Sequence, residues 1–120
     1  MKTIAIISSC DTKYHEAAFM AQCLQENGVT PLIVDMSIGP GQPQGADITR
    51  EEVFAAVGED WQAIRGLTKG ELMGKMTEAM RAMILSLYRQ GSIDGVMAAG
   101  GVQNTTVAMS AMQLLPIGVP

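Results

Sequence analysis

The chain alternates short unbroken apolar runs with stretches in which apolar residues return every three or four positions. Thr3–Ser8, "TIAIIS", is β-branched and uninterrupted. A strand with one wet face alternates in polarity, so an unbroken run marks a strand covered on both faces, as in a parallel sheet. From Lys13 to Asn27 the pattern changes: Ala17, Met20, Ala21 and Leu24 share one helical stripe. Asp11 or Thr12 can cap this helix, and Gly28 can end it. "TPLIVD", Thr30–Asp35, is a second buried strand. Two parallel strands joined by a helix form a right-handed βαβ unit.

Ser37–Asp47 is rich in Gly, Pro and Gln and predicts a long loop. Thr49 with Glu52 three residues on forms a capping box, which opens a short helix through Val57 that Gly58 stops. Thr68–Gln90 is the longest helical signal, with Leu72, Met76, Met80, Met83 and Leu87 on one stripe. Gly70 and Gly74 weaken its first turns, which predicts a start near Lys75; Glu71 and Lys75 stand at ion-pair spacing. Ile93–Ala99 predicts a third strand, about Thr105–Leu115 a helix, and Pro116–Pro120 the beginning of a fourth strand. The expected order is β-α-β-loop-α-α-β-α-β in one α/β domain, residues 1–120. Its architecture is a three-layer, Rossmann-like parallel sheet flanked by helices. A last strand without a covering helix suggests the first subdomain of something longer, or a face covered by another chain.

Composition narrows the function classes. The net charge is −4 without a basic stripe, which argues against nucleic-acid binding. No segment reaches the roughly 18 apolar residues of a membrane span. With no secretory signal and only Cys10 and Cys23, the expectation is a cytoplasmic protein with reduced thiols. Two Cys and the lone His15 do not make a zinc site. Ten Met replace scarce aromatics and suit a core or a dimer seam.

Ligands of open parallel sheets bind beyond the carboxyl ends of the strands. Three such ends carry candidate chemistry. After the third strand, Gly100 and Gly101 permit close backbone approach, and the next helix offers unpaired N–H groups to a phosphate. Asn104 and Thr105 can add side-chain hydrogen bonds, or one of them can simply cap that helix. After the first strand, "CDTK" sets Cys10, Asp11, Thr12 and Lys13 at a helix start. There Lys13 opposes the helix dipole, which an anionic partner would explain. Asp11 can cap, or hold a metal bound to phosphates. Cys10 would gain thiolate character beside Lys13, or serve as a small core residue. Asp35, ending the second strand, can accept hydrogen bonds from ribose hydroxyls or serve as a turn residue. Trp61 and Arg65 share a helical face and can stack on a base, or pack beneath a loop.

The segments "IAIISSCDTKYHEAAFMAQCLQENGVTPLIVD", "ADITREEVFAAVG" and "GSIDGVMAAGGVQNTTVAMSAMQLLPIGVP" together resemble the Tm-like ATP-binding domain family, which includes a plant tobamovirus-resistance protein and bacterial relatives. "CDTK", "DITREEV" and "LPIGVP" carry most of the specificity. The resemblance implies a Rossmann-like ATP-binding domain that dimerises and continues into a second α/β subdomain. In that family the Gly-Gly turn goes on with serine and further glycines; here Val102-Gln103-Asn104 follow. Three readings emerge. The first is a nucleotide site, ATP with or without Mg²⁺, at Cys10–Lys13, Asp35 and Gly100–Thr106. The second is a hydrolase or lyase acting through Cys10 or Asp11. The third is an oligomerisation module with no small ligand.

Overall fold

The computed structural model describes residues 1–120. Strands β1 (Thr3–Ser8), β2 (Thr30–Asp35) and β3 (Gly95–Ala98) form one parallel sheet in the order β2-β1-β3. The helices are α1 (Tyr14–Glu26), α2 (Arg50–Ala55), α3 (Trp61–Ile64), α4 (Lys69–Arg89) and α5 (Val102–Met112). Strand β1 is central, and Ala5, Ile6 and Ile7 have no exposed surface. Their burial follows from cover on both faces. Ile6 and Ile33 pack with Ala17, Met20 and Leu24 of α1. Ala5, Ile7, Val34 and Val96 face the larger core, where Phe54, Met76, Met80, Ile84 and Val107 gather. The expected three-layer α/β fold is the observed one. Each fully buried large side chain contributes about 1.5–3 kcal/mol of apolar transfer energy, so the larger core dominates stability.

The methionine stripe of α4 is core: Met76 and Met80 are fully buried beneath neighbouring elements. The helix starts at Lys69, not near Lys75, because the Thr68 hydroxyl caps it by accepting from the Glu71 N–H at 3.2 Å. That local bond, with apolar contact from Leu72 onward, outweighs the two glycines. The expected Glu71–Lys75 pair does not form. Lys75 reaches Glu59 at 2.8 Å instead, while Glu71 accepts from the Thr68 hydroxyl. A Cβ added at Gly70 or Gly74 would meet nothing within 4 Å. Replacing either by Ala should therefore raise stability by about 0.5–1 kcal/mol. Urea midpoints test this, and a lowered midpoint would contradict the open space seen around both.

Other boundaries differ for local reasons. Strand β3 begins at Gly95 rather than Ile93. Helix α3 adds one turn that the polarity pattern did not single out as an element; the Asp60 carboxylate caps it by accepting from the Gln62 N–H at 3.1 Å. The loop after β2 is regular at its end. The Ile33 N–H donates to the Asp47 carboxylate, and the Ile48 N–H donates to the Ile33 carbonyl. Asp47 thus closes the outer edge of β2; edge strands need such protection. Pro116–Val119 form a turn, not the expected strand, and only Pro120 reaches β3, accepting from the Val96 N–H at 2.9 Å.

Candidate functional site

Because all three strands are parallel, the segments after β1, β2 and β3 emerge at one edge of the sheet. The sheet order changes direction around β1, which is where such folds leave a crevice. The turn after β1 is tight: the Thr12 and Lys13 N–H groups both donate to the Ser9 carbonyl, at 3.2 and 2.7 Å. The turn after β3 runs through Gly100 and Gly101 straight into α5.

These two turns differ from the other helix entries. Helices α2, α3 and α4 are each capped by a side chain, from Thr49, Asp60 and Thr68. Helices α1 and α5 are not: Lys13 and Gly101 hold their N-cap positions with no side-chain hydrogen bond. Neither Asp11 nor Thr12 caps α1, and neither Asn104 nor Thr105 caps α5. The α5 helix begins at Val102, three residues before the expected start. Its first amides are left open at the sheet's carboxyl edge.

The two glycines have different roles. A Cβ on Gly100 would lie 2.7 Å from the Asn104 Cβ and 2.8 Å from its Cγ, so Asn104 requires glycine there. Gly101 has φ −78°, and a Cβ there would meet nothing within 4 Å. The fold itself does not demand glycine at 101. Asn104 is buried, donates to the Ile7 carbonyl at 3.4 Å, and leaves its Oδ1 without a partner. Thr105 is exposed and donates its hydroxyl back to the Gly101 carbonyl at 3.0 Å.

Asp35 lies beneath this edge with no exposed surface. Its Oδ1 accepts from the Cys10 N–H at 3.0 Å and the Ser37 N–H at 2.8 Å, and its Oδ2 accepts from the Ser37 hydroxyl at 2.9 Å. It ties the β1–α1 turn to the loop after β2; its oxygens are already engaged rather than offered to a ribose. Burial pushes its pKa above the ordinary aspartate value, against the opposing pull of the Ser37 and Cys10 N–H groups, the Ser37 hydroxyl and the Arg50 charge. Cys10 is also buried. Burial, then the Asp35 charge, pushes its thiol up to about 12. The expected thiolate character is therefore corrected: the carboxylate beneath Cys10 and the loss of water outweigh Lys13, which stays exposed.

A cavity of about 640 Å³ opens beside this edge between the β1–α1 turn, the loop after β2, and α2 to α4. Of the residues expected from the sequence, Asp11 and Thr12 line it, with Ser9 before them and Gln103 from the first turn of α5. Cys10, Lys13, Asp35, Gly100, Gly101, Asn104 and Thr105 do not line it. Its other wall was not anticipated as a group: Arg50, Trp61, Arg65 and Lys69. The Arg50 guanidinium is buried and lies 4.1 Å over the Trp61 ring. It donates to the Gly39 carbonyl at 2.9 Å and the Ser37 hydroxyl at 3.2 Å. Trp61 stacks in turn on Phe54, with ring centroids 5.6 Å apart. "TREE" was read only as a helix start. An arginine directly after the N-cap, on the face towards an apolar core, was the available signal. No group of three or more His, Cys, Asp or Glu side chains is arranged to hold a metal, and no helix is long and apolar enough to cross a membrane.

Comparison with known proteins corrects the resemblance drawn above. Residues 2–120 match the model described as "Uncharacterised protein family (UPF0261) N-terminal domain". The chain is 33% identical over 120 residues to a UPF0261 protein of Brucella suis biovar 1, covering 98% of this chain and 28% of that protein. It is 32% identical to a UPF0261 protein of Brucella melitensis biotype 1, with the same coverage. A UPF0261 protein of Clostridium tetani is 26% identical over 99% of this chain and 30% of its own length. The chain thus spans less than a third of these relatives. These matches carry UPF0261 names, and their descriptions mention neither ATP nor the Tm-like family, so that assignment is withdrawn. The chain belongs to the UPF0261 family, matching its N-terminal domain.

Proposed function

We propose that this domain binds a nucleotide at the carboxyl edge of its sheet, with the phosphates on the open amides of α1 and α5. One observation carries the reading. The helices that directly follow β1 and β3 are the two without side-chain caps, and residues beside both starts line a single cavity of about 640 Å³. Uncapped helix starts present N–H donors and positive potential to an anion. The volume falls within the range of small-ligand sites. ATP is the first ligand to test. Mg²⁺ would be held chiefly by the phosphates, with Asp11 as the carboxylate of the β1–α1 turn; one carboxylate suits a cation that keeps several waters. The length of the relatives supports a further part of the proposal, that a second α/β subdomain or a second copy completes the site.

Gly101→Ser is the decisive variant. Its backbone is extended, as an N-cap serine requires, and its Cβ has room. A serine hydroxyl there would accept from the α5 amides, keeping or raising stability while occupying the donors a phosphate needs. Titration of the single tryptophan's fluorescence with ATP and ADP should show affinity weakened about tenfold in the variant, at an unchanged or higher urea midpoint. Equal affinity in both proteins would remove the α5 start from the reading.

A further inference from the structure

The second wall of the cavity carries a charge pattern that the nucleotide reading does not use. The whole chain is acidic, net −4 with eight Lys and Arg, yet three of those eight line this one cavity: Arg50, Arg65 and Lys69. Asp11 and Glu51 are the carboxylates that face them. Arg50 is 6% exposed, and its Nε has no hydrogen-bond partner. The nearest carboxylate oxygen, from Glu51, stands 3.9 Å from that Nε, too far for a hydrogen bond. A buried guanidinium N–H left unpaired is uncommon, because the group gives up its water without compensation. The Trp61 face and the carbonyls of the loop hold the guanidinium in place. Arg65 bonds only Gln62 of its own helix, at 3.3 Å. Lys69 occupies the first position of a 21-residue helix, where its charge opposes the dipole.

We infer that Arg50, Arg65 and Lys69 form a subsite for the oxyanion of a small organic molecule, a phosphate or a carboxylate, separate from the nucleotide. It shares the cavity with the proposed nucleotide site but stands on different residues. The planar fork of Arg suits either oxyanion, and Lys adds a mobile point charge. The ligand is a second, compact anion lying between Trp61 and the β1–α1 turn.

Trp61 is the only tryptophan and lines the cavity, so its fluorescence reads occupancy directly. The folded chain is titrated with inorganic phosphate and, separately, with succinate, at constant ionic strength. A saturable response to either is expected, and the preferred probe distinguishes phosphate from carboxylate. In the double variant Arg65→Gln, Lys69→Gln the affinity should fall about tenfold or more. Both residues are exposed, so the variant keeps its fold, which the urea midpoint verifies. The response should persist with saturating ADP present. No saturable response to either anion, an unchanged affinity in the double variant, or displacement by ADP would each overturn the subsite. ATP binding without an anion response would sink this inference and leave the nucleotide reading standing; the reverse result would do the opposite.

Discussion

Alkylation of the folded chain near pH 8 is expected to modify Cys23 and to spare Cys10. Cys10 is 1% exposed, and its thiol is pushed up to about 12, first by burial and then by the Asp35 carboxylate. The thiolate is the reactive species. At pH 8 a thiol of that kind is ionised to only about one part in ten thousand. Burial slows attack further, so the rate difference should exceed about a thousandfold. Cys23 lies on α1 and is only half-buried. Mass spectrometry of peptides after timed exposure to iodoacetamide reads both sites in one sample. In denaturant the two should label alike. Native labelling of Cys10 at the rate of Cys23 would contradict the described burial. It would also favour the Cys10 chemistry considered from "CDTK", against which the buried thiol and the carboxylate beneath it argue.

That example marks the border of what the residues disclose by themselves. The β1–α1–β2 unit is legible because its signals are local: unbroken apolar runs, a stripe, and Gly28 past the helix end. The Thr49–Glu52 capping box is legible for the same reason, and both its bonds form. What escaped depends on contacts far apart in sequence. Lys75 chooses Glu59, sixteen residues back, over Glu71 on its own helix. Asp35 looks like a ligand acceptor at a strand end until the Cys10 and Ser37 amides claim it. Arg50 looks like the first residue of a surface helix until Trp61 and the Gly39 carbonyl enclose it. The cavity's cationic wall unites residues 50, 61, 65 and 69, of which helical spacing pairs only Trp61 with Arg65. The glycine turn was legible as a site candidate, but its two members were not separable. Only the packing of Asn104 shows that Gly100 serves the fold and that Gly101 is unconstrained by it.

Removing the Asp35 carboxylate should produce the largest loss of stability among single changes at this edge. Asp35→Ala leaves the Cys10 and Ser37 N–H groups and the Ser37 hydroxyl without their acceptor. It also takes a compensating charge from the buried Arg50 guanidinium. Breaking such a buried arrangement costs about 3 kcal/mol or more. Asp35→Asn is the informative companion. Its Oδ1 can still accept both N–H groups, and its Nδ2 can donate to the Ser37 Oγ, so the turn and the loop stay joined. It differs chiefly in having no carboxyl to ionise. Burial raises the folded pKa of Asp35 above the ordinary 3.8, so folding favours the protonated form. The stabilisation from that preference is complete below the ordinary value and is lost as pH rises through the folded value. Urea midpoints across this window should show the wild type falling relative to Asp35→Asn, while Asp35→Ala stays below both at every pH. A gap between wild type and Asp35→Asn that does not change with pH would mean that Asp35 titrates as it does in the unfolded chain. The buried tie between the β1–α1 turn and the loop after β2 would then have to be redrawn.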